Sequence, residues 1–309
     1  MRSLLTALVI VASTVPALAE VPRVVATVKP LHSLVAAVMG DLGSPDLIVK
    51  GGASPHTYSL RPSDAANLED ANVVFWTGHG LELFLEDSIE TLAPKAKIVE
   101  LSETPGIELL PVREGGAFEA HSDEGHDQDH AGLDHEHGEM DMHFWLDPVN
   151  AEAMVSEIAA TLAAADPEHA ATYKANADAE RARLATLVTD IEAKLAPVKG
   201  VPFIVFHDAY QYFERRFGLA VAGSITVTPD TLPGAQRIKE LHEKVAGAGA
   251  ACVFAEPQFE PAVVGTIIEG TSAKAGTLDP EGAGLTEGPG LYGELITGLA
   301  DGLVDCLGR

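Results

Sequence analysis

One stretch limits the possible folds more than any other. From Pro167 to Ala196 about thirty residues run without glycine or an internal proline, rich in Ala, Glu, Lys, Leu and Arg. These are strong helix formers. Pro167 suits a helix start behind Asp166, and Pro197 suits its stop. At ~1.5 Å per residue such a helix is roughly 45 Å long. A flexible linker would have carried Gly and Ser instead. The reading is therefore a stiff connecting helix over 167–197 that braces the two halves of the chain and disfavours wide closure of one on the other.

Both flanks alternate strands and helices. Before the connector, Arg23–Val28, Asp46–Val49, Val73–Trp76 and Lys97–Val99 are short apolar runs suited to buried parallel strands, with helical patterns at Leu31–Met39, Pro62–Glu69 and Leu81–Leu92. After it come strands at Phe203–Phe206, Ala220–Gly223, Ala251–Phe254 and Ala273–Leu278, and helices at Ala209–Phe217, Pro233–Ala246, Pro261–Gly270 and Leu291–Leu307. The expected fold is α/β: two lobes, 20–166 and 198–309, with mainly parallel sheets flanked by helices. A length of 309 residues fits two such units.

The first nineteen residues read as a cleavable export signal. Arg2 is the basic start, Leu4–Val15 the apolar core, and Ala17-Leu18-Ala19 the A-x-A cleavage site. Cleavage is expected after Ala19, leaving a soluble exported protein. Its two cysteines, Cys252 and Cys306, would meet an oxidising compartment and are expected to pair as a disulfide. The net charge of −26 repels phosphate backbones, so nucleic acid is not an expected partner. Cations are.

Residues 113–142 differ from the rest. They hold five histidines (His121, His126, His130, His135, His137) and ten acids, with almost no large apolar side chains. Such a segment cannot bury itself and is expected to be a mobile loop. An even spread of the twelve histidines would put about one between 121 and 143, whereas six are there. The loop is expected to collect divalent cations weakly beside His143.

Parallel sheets place ligand sites at the carboxyl ends of their strands. Polar residues after predicted strands are thus the candidates. His56 lies in Gly51-Gly52-Ala53-Ser54-Pro55-His56, and His143 precedes Phe144-Trp145-Leu146-Asp147-Pro148. His207 follows Phe203–Phe206, and Asp279 follows the last strand. Converging in the cleft between lobes, three neutral imidazoles with water or an oxygen ligand make a tetrahedral Zn²⁺ site. Copper and nickel also accept imidazole, while manganese, calcium and magnesium want more oxygen. Asp279 reads equally well as a fourth ligand and as a turn residue before Pro280. His32 and His79 read as surface or cleft-wall residues, and His169 and His242 as solvated. Binding needs neutral imidazoles, so affinity should fall as pH drops through the histidine range near ~6.5.

These stretches, with Ser59-Leu60-Arg61-Pro62-Ser63-Asp64, Phe206-His207-Asp208-Ala209-Tyr210, Phe254-Ala255-Glu256-Pro257-Gln258 and Gly276-Thr277-Leu278-Asp279-Pro280, carry a resemblance. From about Val24 to Cys306 the chain resembles the metal-binding solute-binding proteins of ABC importers, in their ZnuA-like zinc-uptake branch. The resemblance implies two α/β lobes joined by one long helix, with metal in the cleft on His56, His143 and His207. It implies a periplasmic protein that hands Zn²⁺ to a membrane permease. Manganese-type relatives have Glu in place of the third histidine and use an Asp at position 279; His207 favours zinc. In zinc-type relatives water or a nearby carboxylate fills the fourth position, so Asp279 stays open. The paired cysteines and the histidine-rich loop also match the zinc-uptake branch. The protein is expected to act as a monomer and not as an enzyme.

Three competing readings remain. A zinc-dependent hydrolase could use the same three histidines with Glu256 or Asp208 as general base, but no H-E-x-x-H or G-x-S-x-G is present. A manganese-type protein would recruit Asp279. A surface adhesin would bind metal through the loop alone.

Overall fold

Short β-branched runs build the first sheet: β1 (Val24–Ala26), β2 (Asp46–Leu47), β3 (Val73–Trp76) and β4 (Lys97–Glu100), in the order β2-β1-β3-β4 and parallel throughout. The computed structural model describes residues 21–113, 118, 140–226, 234–259 and 262–308. The export signal and the five loop histidines fall outside the described residues.

Helix α1 (Lys29–Met39) has Pro30 in its first turn and is buried along its whole length. It lies between β1 and the long helices described below, so it needs no polar face. Removing Leu31, Leu34, Val35 or Val38 from water stabilises by roughly 1.5–3 kcal/mol each. Helix α2 (Pro62–Asp70) follows. The helix expected over 81–92 is instead two short turns, α3 (Leu83–Glu86) and α4 (Ile89–Leu92). The cause lies in two side chains. Glu82 turns into the interior to meet Thr27 and Thr77, with its own backbone at φ −85°, ψ 62°. Ser88 turns its hydroxyl back onto the Phe84 and Leu85 carbonyls, a local bond that competes with the helix.

A two-stranded antiparallel stem brackets the stretch read as loop: β5 (Leu110–Pro111) lies just before it and β6 (Met140–Asp141) falls inside its end. Beyond it α5 (Pro148–Ala165) starts on Asp147, whose carboxylate accepts the Val149 N–H at 2.9 Å. The long helix is α6 (Ala170–Leu195), extended by single 3₁₀ turns at Pro167–His169 and Ala196–Val198. Tyr173, Ala177, Glu180, Leu184, Ile191 and Leu195 form its buried stripe at helical spacing. The stripe packs on α5, α1 and the last helix, so the connector lies along the molecule and does not stand free.

The second sheet contains β7 (Phe203–His207), β8 (Val221–Thr226), β9 (Cys252–Ala255) and β10 (Lys274–Thr277), ordered β10-β9-β7-β8 and again parallel. Its helices are α7 (Gln211–Phe217), α8 (Ala235–Ala248), α9 (Ala262–Ile268) and α10 (Leu291–Leu307). Gly218, at φ +67°, closes α7 in the left-handed conformation that suits glycine. Cys252 and Cys306 form a disulfide, Cα–Cα 6.3 Å, that fastens β9 to α10. One hydrophobic cluster runs from the first sheet through α5, α6 and α10 to Phe203 and Phe254 of the second. A smaller cluster around Ile204, Phe206, Leu241 and Val253 fills the far side of the second sheet. Among the described residues no helix is long and apolar enough to cross a membrane.

Candidate metal centre

The carboxyl edges of both sheets face one cleft, and three imidazoles meet there. His56 comes from the irregular loop after β2, His143 from the turn after β6, and His207 is the last residue of β7. One ring nitrogen from each lies within 4.8 Å of the others. His143 Nε2 is 3.2 Å from His56 Nε2 and 3.4 Å from His207 Nε2. Nitrogens at two corners of a zinc tetrahedron, each ~2.0–2.1 Å from the ion, stand about 3.3–3.4 Å apart. Two of the three nitrogen separations match that edge, and the third is within 4.8 Å, so the group can close on one small tetrahedral ion.

Carboxylates orient two of the rings. Asp141 Oδ1 accepts from His143 Nδ1 at 2.8 Å and from its backbone N–H at 3.0 Å. Glu256 Oε1, at the tip of β9, accepts from His207 Nδ1 at 2.7 Å. A carboxylate can only accept, so each pair puts the proton on Nδ1 and turns the Nε2 lone pair to the cleft. Burial, then the neighbouring His143 and His207, hold His56 well below the usual imidazole range. Burial also works against charge on His207, but Glu256, with Asp208 and Asp141, outweighs it and raises that imidazole.

Asp279 stands apart from the imidazole cluster. Its Oδ1 accepts the Glu281 and Gly282 N–H groups at 3.2 and 2.9 Å and the Gln258 amide at 3.0 Å, which is the work of a turn residue. Asp208, a possible general base by sequence, has both oxygens on the Arg113 guanidinium. Glu256, the other, is buried on His207. His79 is exposed beside Trp76. His32 is buried with Nε2 on the Pro45 carbonyl at 3.0 Å, not on a surface or cleft wall. Nor are His169 and His242 freely solvated: the first, at the end of the 3₁₀ turn before α6, pairs with Asp166 at 2.7 Å, and the second, on α8, donates to the Ile267 carbonyl of the adjoining α9 at 3.0 Å.

Reading by sequence missed Asp141 as an orienting group, although the Asp-x-His spacing of Asp141 and His143 was a visible signal. It also missed the bonds that tie the cleft walls. Arg113 at the stem bridges Asp208 and Glu214, and Arg216 grips Asp147 through bonds of 2.6 and 2.7 Å. On the opposite side the Lys29 ammonium donates to the carbonyls of Gly282, Ala283 and Leu285. Trp145 Nε1 donates to the Pro280 carbonyl at 3.0 Å.

Comparison with known proteins places these features in a wider set. The family model described as "Zinc-uptake complex component A periplasmic" matches residues 24–306. The high-affinity zinc uptake system protein ZnuA of Brucella suis is 51% identical over 307 residues, covering 93% of this chain and 92% of its own. A crystal structure of a ZnuA superposes with a TM-score of 0.77 at 24% identity, over 93% of this chain and 99% of that one. A mutant of the laminin-binding adhesin Lmb from Streptococcus agalactiae gives 0.76 at 26%, over 92% and 99%.

Proposed function

Since the chain belongs to the ZnuA family of periplasmic zinc-uptake components, we propose that it captures Zn²⁺ on His56, His143 and His207 and delivers it to the membrane permease of an ABC importer. The observation that carries this reading is the meeting of three imidazoles, with His143 Nε2 standing from each of the other two at the spacing of a zinc tetrahedron edge. Zinc is cargo on this reading, held by neutral nitrogen ligands. The fourth position is left to water, because the metal-ligating cluster among the described residues does not include Asp279. Glu256 and Asp208 are committed to His207 and Arg113, which favours transport over hydrolysis. The segment 1–19 directs export, with cleavage after Ala19, and the protein works as a monomer.

The loop histidines serve as an auxiliary collector. Deleting residues 115–138, which leaves strand β6 and Asp141 in place, tests this against the adhesin-like reading, in which the loop is the whole metal site. The deletion is expected to lose the weak zinc equivalents and keep one tight one in a chelator-competition titration. Loss of all tight binding would overturn the cleft assignment.

A further inference from the structure

The three imidazoles are held unequally. His143 and His207 each have the ring and the main chain tied to a single carboxylate oxygen, through bonds of 2.8 and 3.0 Å to Asp141 and of 2.7 and 3.4 Å to Glu256. The Asp141 anchor is itself fastened: the Tyr212 hydroxyl donates to its carbonyl at 2.6 Å, and the Gln211 amide reaches its Oδ2 at 3.4 Å. Both rings stand on or beside ordered strands and are buried.

His56 has none of this support. Its backbone N–H meets Ser54 Oγ at 3.3 Å; among the described residues its ring makes hydrogen-bond and ring contacts with the other imidazoles alone, and Nδ1 has no partner. It is half-buried, in an irregular loop that begins with Gly51 at φ +66°, where a side chain would meet open space. Detaching a ligand leaves its nitrogen needing a new partner. At His143 or His207 that nitrogen would stay buried without one, which is costly. At His56 a small swing reaches water.

We infer that Asp141 and Glu256 are positioning residues that preform a two-nitrogen seat on His143 and His207, and that His56 is the exchange limb, last to join the ion and first to leave. The inference rests on the zinc-capture reading and adds the order of ligand exchange to it. It predicts that the three sites fail differently.

Stopped-flow zinc binding and chelator-driven release, together with ¹⁵N-histidine NMR of the metal-free full chain, test it. In the metal-free wild type, His143 and His207 should each show one Nδ1–H tautomer and His56 an average of two. His56→Ala should still bind zinc with little change in association rate and a much faster release. His207→Ala and His143→Ala should lose far more affinity. Glu256→Gln and Asp141→Asn should weaken binding roughly 10–100-fold and disturb the tautomer of their own histidine alone. Equal losses in His56→Ala and His207→Ala, or a fixed His56 tautomer in the wild type, would overturn the inference while leaving zinc capture intact. Failure of the wild type to bind zinc would overturn both.

Discussion

At the scale of single residues, Glu82 is the group whose setting has the clearest consequence. It is fully buried and accepts from the Thr27 and Thr77 hydroxyls and, at 3.3 Å, from the Thr77 N–H. Burial, only partly offset by these bonds, pushes its carboxyl up to about 7. The folded state then holds a proton that the unfolded chain has already lost, so this group's contribution to stability falls as pH rises from about 4.5 to 7 and stays reduced above that. Glu82→Gln should therefore be more stable than the wild type at pH 8, by at most roughly 3 kcal/mol, and near neutral at pH 4.5. Denaturant titrations at the two pH values check this; an equal effect at both would contradict it. Such a residue was invisible in sequence, where Glu82 looked like part of an amphipathic helix. His56 and His207 were legible because they stand at the carboxyl ends of parallel strands, and His143 because it closes the long loop that leaves the first sheet after β4. Their partners were not, because whether Glu256 meets His207 depends on how β9 and β7 are registered side by side.

Elements were readable to the extent that their own chemistry decides them. The connector could be read because nothing in thirty residues interrupts a helix, and its buried stripe emerges at the expected period. The β5–β6 stem could not, because two-residue strands carry no periodicity. The split at 81–92 depends on a tertiary demand for the Glu82 side chain. The disulfide between β9 and α10 closes a separation of 54 residues, for which the chain-entropy model gives about 4 kcal/mol. Replacing both cysteines with serine should lower the unfolding free energy by about that much. Zinc affinity should hardly move, because Cys252 begins β9 and Glu256 lies past its other end. A large loss of affinity in a protein that remains folded would show that the disulfide shapes the site as well.

The whole molecule is built to keep its cleft. A single hydrophobic cluster crosses from one sheet to the other, α6 lies along it, and polar bonds join the lobes on both sides of the imidazoles. Solution scattering should accordingly give nearly the same radius of gyration with and without zinc, and a marked contraction on loading would contradict a rigid frame. The proposed site would also let a chain of net charge −26 be selective: abundant carboxylates attract any cation, while an all-imidazole seat prefers zinc over the oxygen-seeking ions. The most direct test of that claim is a chelator-competition titration of metal-stripped protein with Zn²⁺, with Mn²⁺ run in parallel. One tight Zn²⁺ equivalent, weaker further equivalents and little Mn²⁺ binding is the predicted result. Comparable Mn²⁺ binding, or only weak and multiple Zn²⁺ sites, would contradict the three-imidazole cleft as the place of capture.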